Sequence, residues 1–337
     1  MKNVVYLIHT EYHLLLSLYS LIKLDYLNNQ SIQIHFIIKS TSTSKRLKQN
    51  LNLDFLPIKV HYLQVDKDYS KTIKEDQKKK MDELIDLKPV NFYFFQEQDP
   101  IMLVLIYFYK KNKSKTTLIQ DGLKPYVANS MKFSPSLHIN DFKQNLWIRK
   151  NGYPVHDWFS PLKCNKYGFV KGVDQLFLSF PDMFENPKKI LASKLSPSYE
   201  INFIKMLEKV FGWQDSLLPE TENIIFFMNQ PMHDDGSFEI NLLNKLRKKY
   251  PQAPIYIKNH PITPESKIKL YNQLNNVNVI DSKIPAELFI SKLKKSIILS
   301  LCSTSMFIDN PASKFYYLFR IQEKNNIKRL KHYKVIN

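Results

Sequence analysis

A chain of 337 residues exceeds one ordinary domain, and its 44% apolar content supplies a large core, so two folded domains are predicted and disorder is excluded. The only two cysteines, Cys164 and Cys302, exclude a disulfide scaffold and a cysteine-based zinc site and fit a reducing cytosol. The net charge of +18 favours an anionic partner such as a sugar donor or a membrane surface, although a solvated lysine-rich surface explains it equally well. No signature of a nucleic-acid-binding module accompanies the lysines, so no nucleic acid partner is expected.

The first residues form a short apolar run without a cleavage site, which predicts a first strand and not a signal peptide. No uninterrupted apolar run is long enough for a transmembrane helix. We therefore expect a soluble, cytoplasmic protein. Peripheral contact with the anionic inner face of the membrane and a homodimer are left open.

Along the first half of the chain, short apolar runs alternate with longer amphipathic stretches. The predicted strands are residues 4–8, 32–38, 59–63, 91–95, 116–119 and 175–180. The predicted helices are residues 12–27, 72–87 and 101–111. This alternation predicts an open parallel sheet with helices on both faces, and it defines a first domain over residues 1–185.

A second series of elements follows a proline-punctuated connection at residues 181–200. After a helix at 199–211, the predicted strands are residues 223–228, 254–257, 277–280 and 296–301. The predicted helices are residues 238–249, 264–273 and 285–293. The fold class is therefore α/β, with a second domain over 200–312 and a tail, 313–337, that we expect to pack back on the first domain. Ligands of such sheets collect at the carboxyl ends of the strands.

Two loops that follow predicted strands of the second domain carry candidate catalytic groups. Asp234 and Asp235 precede a helix, where one carboxylate can serve as a cap, but a cap needs only one and a general base belongs at a strand end. His260 stands in the turn Lys258-Asn259-His260-Pro261, and the proline favours an extended geometry for it. A lone histidine is usually structural, but here it could protonate a leaving phosphate near neutral pH.

Two helix starts in the second domain carry polar groups that could bind a ligand. Glu287 follows Pro285, which taken alone is an ordinary helix start. Ser303, Thr304 and Ser305 follow a strand, and hydroxyls with free backbone N–H groups at a helix start suit a phosphate. Helix capping competes with this interpretation, although a cap needs fewer hydroxyls.

The first domain carries a single carboxylate at a strand end, in Gln120-Asp121-Gly122, and a polar segment after its first strand that includes His9, Thr10 and His13. Both segments can also be turn or helix-start chemistry. The chain has no Gly-rich dinucleotide loop and no Walker lysine loop. Its Asp-x-Asp sequence, at 66–68, is interpreted as a solvated loop, so no metal and no cofactor are expected.

The second domain resembles the bacterial sialyltransferases of GT-B fold, which have two Rossmann-like domains facing a central cleft. The resemblance is to the lipooligosaccharide sialyltransferases of glycosyltransferase family 52, and more distantly to the polysialyltransferase and Pasteurella-type families. These families share an HP motif, a later glutamate and a Ser/Ser-Thr pair, which correspond to His260-Pro261, Glu287 and the hydroxyls at 303–305. The resemblance covers residues 223–310. In the first domain it is limited to the alternation of predicted strands and helices.

The resemblance implies an inverting, metal-independent sialyltransferase with CMP-sialic acid as donor. It assigns His260 as general acid or phosphate ligand, the Ser/Thr pair to the phosphate and Glu287 to the ribose hydroxyls. The wider donor site would comprise Lys258, Pro261, Glu287, Ser303, Thr304, Ser305 and Gln230. The acceptor would be a bacterial surface glycan ending in galactose, bound by the first domain at His9, Thr10, His13 and Gly122.

The general base differs among the resembling families. In family 52 it lies shortly before the HP motif, which favours Asp234 or Asp235. In the others it comes from the first domain, where Asp121 stands in an acidic motif with one acid replaced by Gln120.

Two rival functions remain open at this point. One is a GT-B transferase with another donor, such as CMP-Kdo or a nucleotide diphosphate sugar, in capsule or lipopolysaccharide synthesis. The other is a non-catalytic module that binds anionic polysaccharide or nucleic acid through its positive charge.

Overall fold

The computed structural model describes residues 1–40, 47, 51–65, 72–97, 99–122, 124–126, 135–155, 167–168, 170–184, 189–229, 237–260, 263–280, 284–300, 303–308 and 310–318. These residues form two compact units, Met1–Pro197 and Ser198–Asn337. Within the described part of the chain, no helix combines the length and apolarity needed to cross a membrane.

The first unit is built on a seven-stranded sheet in which every neighbouring pair is parallel. Its strands are β1 (Lys2–Ile8), β2 (Ile32–Ser40), β3 (Ile58–Gln64), β4 (Asn91–Phe94), β5 (Lys115–Ile119), β6 (Gln175–Leu178) and β7 (Leu191–Lys194). Its helices are α1 (Glu11–Lys23), α2 (Glu75–Ile85), α3 (Pro100–Lys111) and α4 (Pro135–Lys150). The strand order is β3-β2-β1-β4-β5-β6-β7, so the order reverses between β1 and β4. In open α/β sheets the ligand site lies beyond the carboxyl ends of the strands at such a reversal.

The second unit repeats this plan with a five-stranded parallel sheet. Its strands are β8 (Ile225–Met228), β9 (Ile255–Lys258), β10 (Val277–Ile280), β11 (Ile297–Ser300) and β12 (Lys314–Tyr317). Its helices are α5 (Ile201–Phe211), α6 (Ser237–Lys249), α7 (Glu265–Asn272) and α8 (Ala286–Lys292). The order β10-β9-β8-β11-β12 reverses between β8 and β11. Both units therefore have the α/β class and the parallel sheets that the sequence predicts.

The residues become strands because central parallel strands are covered on both faces and so consist of continuous apolar runs. Strand β1 has five consecutive buried residues, 4–8, and β8 is buried throughout. Helix α1 starts at Thr10, whose hydroxyl accepts a hydrogen bond from the backbone N–H of His13, and α3 starts at Asp99 followed by Pro100.

Two boundaries differ from the sequence-based expectation. Strand β7 pairs with β6 and extends the first unit to Pro197, beyond the expected limit of residue 185. Residues 314–317 were expected in a tail on the first domain, but they form β12 and pair with β11 in the second sheet. The parallel ladder satisfies their backbone groups, which explains this placement. The rest of the expected tail, residues 319–337, lies outside the described residues.

Candidate functional site

A polar cluster occupies the carboxyl edge of the first sheet, where β1, β4 and β5 end. Asp121 follows β5, and its Oδ1 lies 3.1 Å from Nε2 of His13, on the first turn of α1. The imidazole is buried and stacks on the ring of Phe95, with centroids 4.1 Å apart and planes 4° from parallel. The side chain of Asp121 remains 28% exposed. The carboxylate of Asp121 is therefore partly accessible to solvent, and the buried imidazole of His13 fixes its position.

The hydrogen bonds of His13 assign its tautomer. Its Nδ1 accepts a hydrogen bond from the backbone N–H of His9 at 3.3 Å, so Nδ1 carries no proton there. In the neutral ring Nε2 then carries the proton and donates it toward Asp121. A charge-assisted bond of this kind orients the carboxylate.

Gln120 stands where the acidic motif of the resembling families has a carboxylate, and its hydrogen bonds give it a structural role. It is buried, and its Oε1 accepts hydrogen bonds from the Ser179 backbone N–H at 2.8 Å and from the Tyr126 hydroxyl. Its amide nitrogen donates to the Tyr12 hydroxyl at 3.4 Å, which a carboxylate could not do. Gly122 follows Asp121 with a φ of 62°, in the left-handed region that glycine adopts without strain. The amide of Gln120 thus connects β5 to β6 and leaves Asp121 as the partly exposed carboxylate of the motif.

His9 belongs to the same cluster and is partly buried. Its Nδ1 lies 2.8 Å from Oε1 of Gln96, and its buried Nε2 has no hydrogen-bond partner among the described residues. Burial lowers the pKa of His9 to about 4, so the ring is neutral at physiological pH. Thr10 caps α1 through its hydroxyl, so its role in the structure is the helix-start contact that the sequence left open.

A buried ion pair between Lys39, near the end of β2, and Asp99, the cap of α3, completes the cluster. Burial alone would raise the pKa of Asp99, but Lys39 and the amide of Met102 hold it below its ordinary value. The sequence did not single out this pair. The Asp-Pro helix start was the available signal for Asp99, whereas nothing in the sequence indicated that Lys39 would be buried.

The second unit places Lys258 and His260 at the carboxyl end of β9, Ser303, Thr304 and Ser305 just after β11, and Glu287 on α8. His260 is half-buried just after β9, and its carbonyl accepts a hydrogen bond from the Thr263 backbone N–H at 2.9 Å, which closes the turn. Lys258, the last residue of β9, is buried, with its ammonium 5.9 Å from the ring centroid of Phe289. The predicted residues Gln230, Asp234, Asp235 and Pro261 lie outside the described residues.

Glu287 and Ser305 are joined directly. The Ser305 hydroxyl donates to Oε1 of Glu287 at 2.8 Å, and both side chains are buried. Burial raises the pKa of Glu287, while the Ser305 hydrogen bond and the nearby charge of Lys258 oppose the rise. The carboxylate expected on a ribose thus binds a neighbouring hydroxyl in the structure.

The three consecutive hydroxyls therefore differ in their roles. Ser303 caps the short 3₁₀ helix 304–307 by accepting from the Ser305 backbone N–H at 3.2 Å, and its own N–H donates to Ser300 Oγ at 3.0 Å. Ser303 and Thr304 are half-buried, whereas Ser305 is buried against Glu287. Ser303 and Thr304 are thus the hydroxyls of the set that can reach a ligand without rearrangement.

Two buried asparagines beside this set were not predicted from sequence. Asn229 follows β8 and donates to the Tyr271 hydroxyl at 3.1 Å and to Asn259 Oδ1 at 3.4 Å. Among the described residues, Asn229 Oδ1 and Asn259 Nδ2 are buried without a partner. The sequence could have indicated these two residues only by their position after adjacent strands, because asparagine at a strand end is not part of a recognisable motif.

The architecture is similar to that of solved GT-B proteins. The GT-B domain of a sialyltransferase from Photobacterium damselae matches with a TM-score of 0.54 and 14% identity, over 92% of this chain and 88% of that one. A UDP-GlcNAc 2-epimerase from Neisseria meningitidis, bound to UDP-GlcNAc, matches with a TM-score of 0.53 and 16% identity, over 94% of this chain and 82% of that one. At such identities the likeness shows the fold alone. Two parallel-sheet units with candidate groups at their carboxyl edges thus define a protein of GT-B fold.

A match to a family model identifies the family within the GT-B proteins. The model of the alpha-2,8-polysialyltransferases (POLYST) matches residues 8–316, and the chain belongs to that family. It is accordingly a glycosyltransferase. No curated protein matches the sequence. The sequence motifs ranked glycosyltransferase family 52 ahead of the polysialyltransferases, and the family that matches is the latter.

Proposed function

We propose that the chain transfers sialic acid from CMP-sialic acid to a glycan acceptor, with inversion and without a metal or other cofactor. Membership of the alpha-2,8-polysialyltransferase family supports the sialyl donor. The family description also favours an acceptor that itself ends in sialic acid, in place of the galactose that we expected from sequence. An anionic acceptor and donor suit a chain with a net charge of +18.

The observation that carries the proposal is the Asp121–His13 pair. A general base must be accessible to the acceptor hydroxyl and held in position, and Asp121 is partly exposed and held by the N–H of a buried imidazole. We therefore propose Asp121 as the group that takes the proton from the acceptor hydroxyl. Asp234 and Asp235 stay as alternatives, since they lie outside the described residues.

The second unit would bind the donor. Ser303 and Thr304 offer hydroxyls to the phosphate, Lys258 supplies positive charge near it, and His260 gives a proton to the departing CMP. Because Glu287 is hydrogen-bonded to Ser305, its contact with the ribose would require that bond to be shared or exchanged. The leaving phosphate gains charge as the sugar bond breaks, which preformed donors stabilise without reorganisation.

The proposal is tested by titrating the purified chain with CMP, UDP and GDP and by assaying His260→Ala. We expect CMP to bind most tightly, and we expect His260→Ala to keep that affinity and lose sugar transfer. Preferential binding of UDP would favour another donor, and the same fold occurs in a UDP-GlcNAc 2-epimerase. Full transfer activity in His260→Ala would contradict the role given to this residue.

A further inference from the structure

Two neighbouring asparagines of the second unit keep amide atoms without a partner among the described residues. Asn229 follows β8 and Asn259 follows β9, and the two residues are 1% and 4% exposed. Oδ1 of Asn229 and Nδ2 of Asn259 are both buried, and neither forms a hydrogen bond within the described part of the chain. Buried polar atoms are normally paired, because leaving one unpaired costs free energy. Two such atoms on adjacent side chains therefore point to a ligand contact.

The remaining amide atoms hold the pair in place. Asn229 Nδ2 donates to the Tyr271 hydroxyl at 3.1 Å and to Asn259 Oδ1 at 3.4 Å, which uses both of its N–H groups. Tyr271 is fully buried and fixes Asn229 from the core. Turning both amides over would exchange the roles of the two asparagines and would again leave one carbonyl oxygen and one NH₂ group unpaired. The pair thus offers one acceptor and one donor in either orientation.

This combination suits a ligand group that is both donor and acceptor. A phosphate or a carboxylate brings acceptors only, and the free carbonyl of Asn229 would repel it. An ammonium group brings donors only and would leave the Asn259 NH₂ group unpaired. An amide has its N–H and its C=O on separate atoms, which matches free groups on two separate side chains. The sialic acid that we propose as the transferred sugar carries such an amide, its acetamido group.

The pair and the proposed ribose site lie on opposite faces of the second sheet. Side chains alternate between the two faces along a strand. Asn229 contacts Tyr271 on the face covered by α6 and α7, where the core includes Ile225, Phe227, Ile255 and Ile257. Helix α8, which carries Glu287, lies on the other face, since its Phe289 ring stacks on Phe226 at 6.0 Å between centroids. The base is attached to the ribose and would stay with Glu287, whereas the sugar is attached on the far side of the phosphate.

We propose that Asn229 and Asn259 form a subsite that selects the acetamido group of the transferred sugar. Asn229 Oδ1 accepts from the acetamido N–H, and Asn259 Nδ2 donates to its carbonyl. The subsite rests on the proposed function and adds the part of the donor sugar that is recognised. A hydroxyl in place of the acetamido group acts through a single oxygen and leaves one of the two buried groups unpaired, so such a sugar is rejected.

The test compares transfer from CMP-sialic acid with transfer from the CMP derivative of the deaminated sugar, which has a hydroxyl in place of the acetamido group. We expect the unsubstituted chain to favour the acetamido donor in kcat/KM by about 5- to 150-fold, the range for one buried polar group left unpaired. Asn259→Leu has a similar volume and no N–H, and it should lower this ratio at least about fivefold by slowing the acetamido donor. CMP alone should bind the variant and the unsubstituted chain equally, because CMP lacks the sugar.

Asn310→Leu is the matched control, because the amide of Asn310 is already used by the carbonyls of Ile290 and Leu293 and by the Ala312 N–H. It should keep the donor ratio of the unsubstituted chain. Equal kcat/KM for the two donors in the unsubstituted chain would overturn the subsite. So would an Asn259→Leu chain that slows both donors alike, since the pair would then hold only the neighbouring turn or a water molecule. Absence of transfer from both donors would contradict the proposed function, and the subsite with it.

Discussion

Replacing His13 by phenylalanine tests whether the buried imidazole holds Asp121, the carboxylate that we propose as the general base. The substitution keeps an aromatic ring on Phe95 but removes the N–H that points at Asp121, 3.1 Å away. In this proposal His13 acts through Asp121 as a positioning residue, so its loss should reduce turnover without abolishing it. We expect donor affinity to stay the same, because the bond is made in the first unit.

The size of the effect follows from the kind of bond removed. A hydrogen bond to a charged group is worth about 1.5–3 kcal/mol, which corresponds to about 10- to 150-fold in kcat if all of it is lost at the transition state. Removal of the base itself by Asp121→Asn should cost more, about 10²- to 10⁴-fold. Since the two residues act as one unit, the double variant should be no slower than Asp121→Asn alone.

The assay is transfer from labelled CMP-sialic acid, with kcat and KM measured separately. His35→Phe is the control for burying phenylalanine in place of histidine, since His35 is buried in β2, where it contacts His61 and Asn3. It should leave kcat unchanged. Full activity of His13→Phe, or losses that multiply in the double variant with Asp121→Asn, would refute the positioning role.

Three further predictions concern stability. Glu239→Gln should lower the free energy of unfolding by about 3–5 kcal/mol, because it removes the negative charge that lies 2.9 Å from the fully buried Lys267 ammonium. Glu239→Leu with Lys267→Met should recover most of the loss in urea unfolding. Burial lowers the pKa of His35 to about 4, so its contribution to stability should be complete above pH ~6.5 and fall as the pH drops toward 4. Urea titrations across that range should show a shallower fall for His35→Phe, and an unchanged fall would contradict this origin. Ser305→Ala should cost about 1–3 kcal/mol and raise the pKa of Glu287 further, since a buried carboxylate loses its donor; an unchanged unfolding midpoint would count against it.

The strands could be predicted because a buried parallel strand is a continuous apolar run. Strands β1, β8 and β10 lie where the sequence places them, within two residues at each end. Helix α4 was not predicted, because its apolar residues occupy both the core side and the exposed side, as Trp147 and Phe142 show, and this removes the helical period. Strand β7 was not predicted because it is a short edge strand of partly exposed residues that follows prolines.

The site was only partly accessible to sequence reasoning. Single residues such as Asp121 could be placed at strand ends, because polar residues after an apolar run mark the edge of a sheet. The pairing of Asp121 with His13 could not be predicted, because the two are 108 residues apart and meet only through the strand order β1-β4-β5. The Glu287–Ser305 bond likewise depends on packing that spacing does not specify.

The most direct test of the central claim is the product formed from labelled CMP-sialic acid and an oligosaccharide that ends in sialic acid. The account predicts that the chain lengthens this acceptor, that added chelator leaves the rate unchanged, and that Asp121→Asn forms almost no product. A parallel acceptor ending in galactose shows which terminal sugar is used. Release of CMP without any lengthened product, or equal lengthening by Asp121→Asn, would contradict the account.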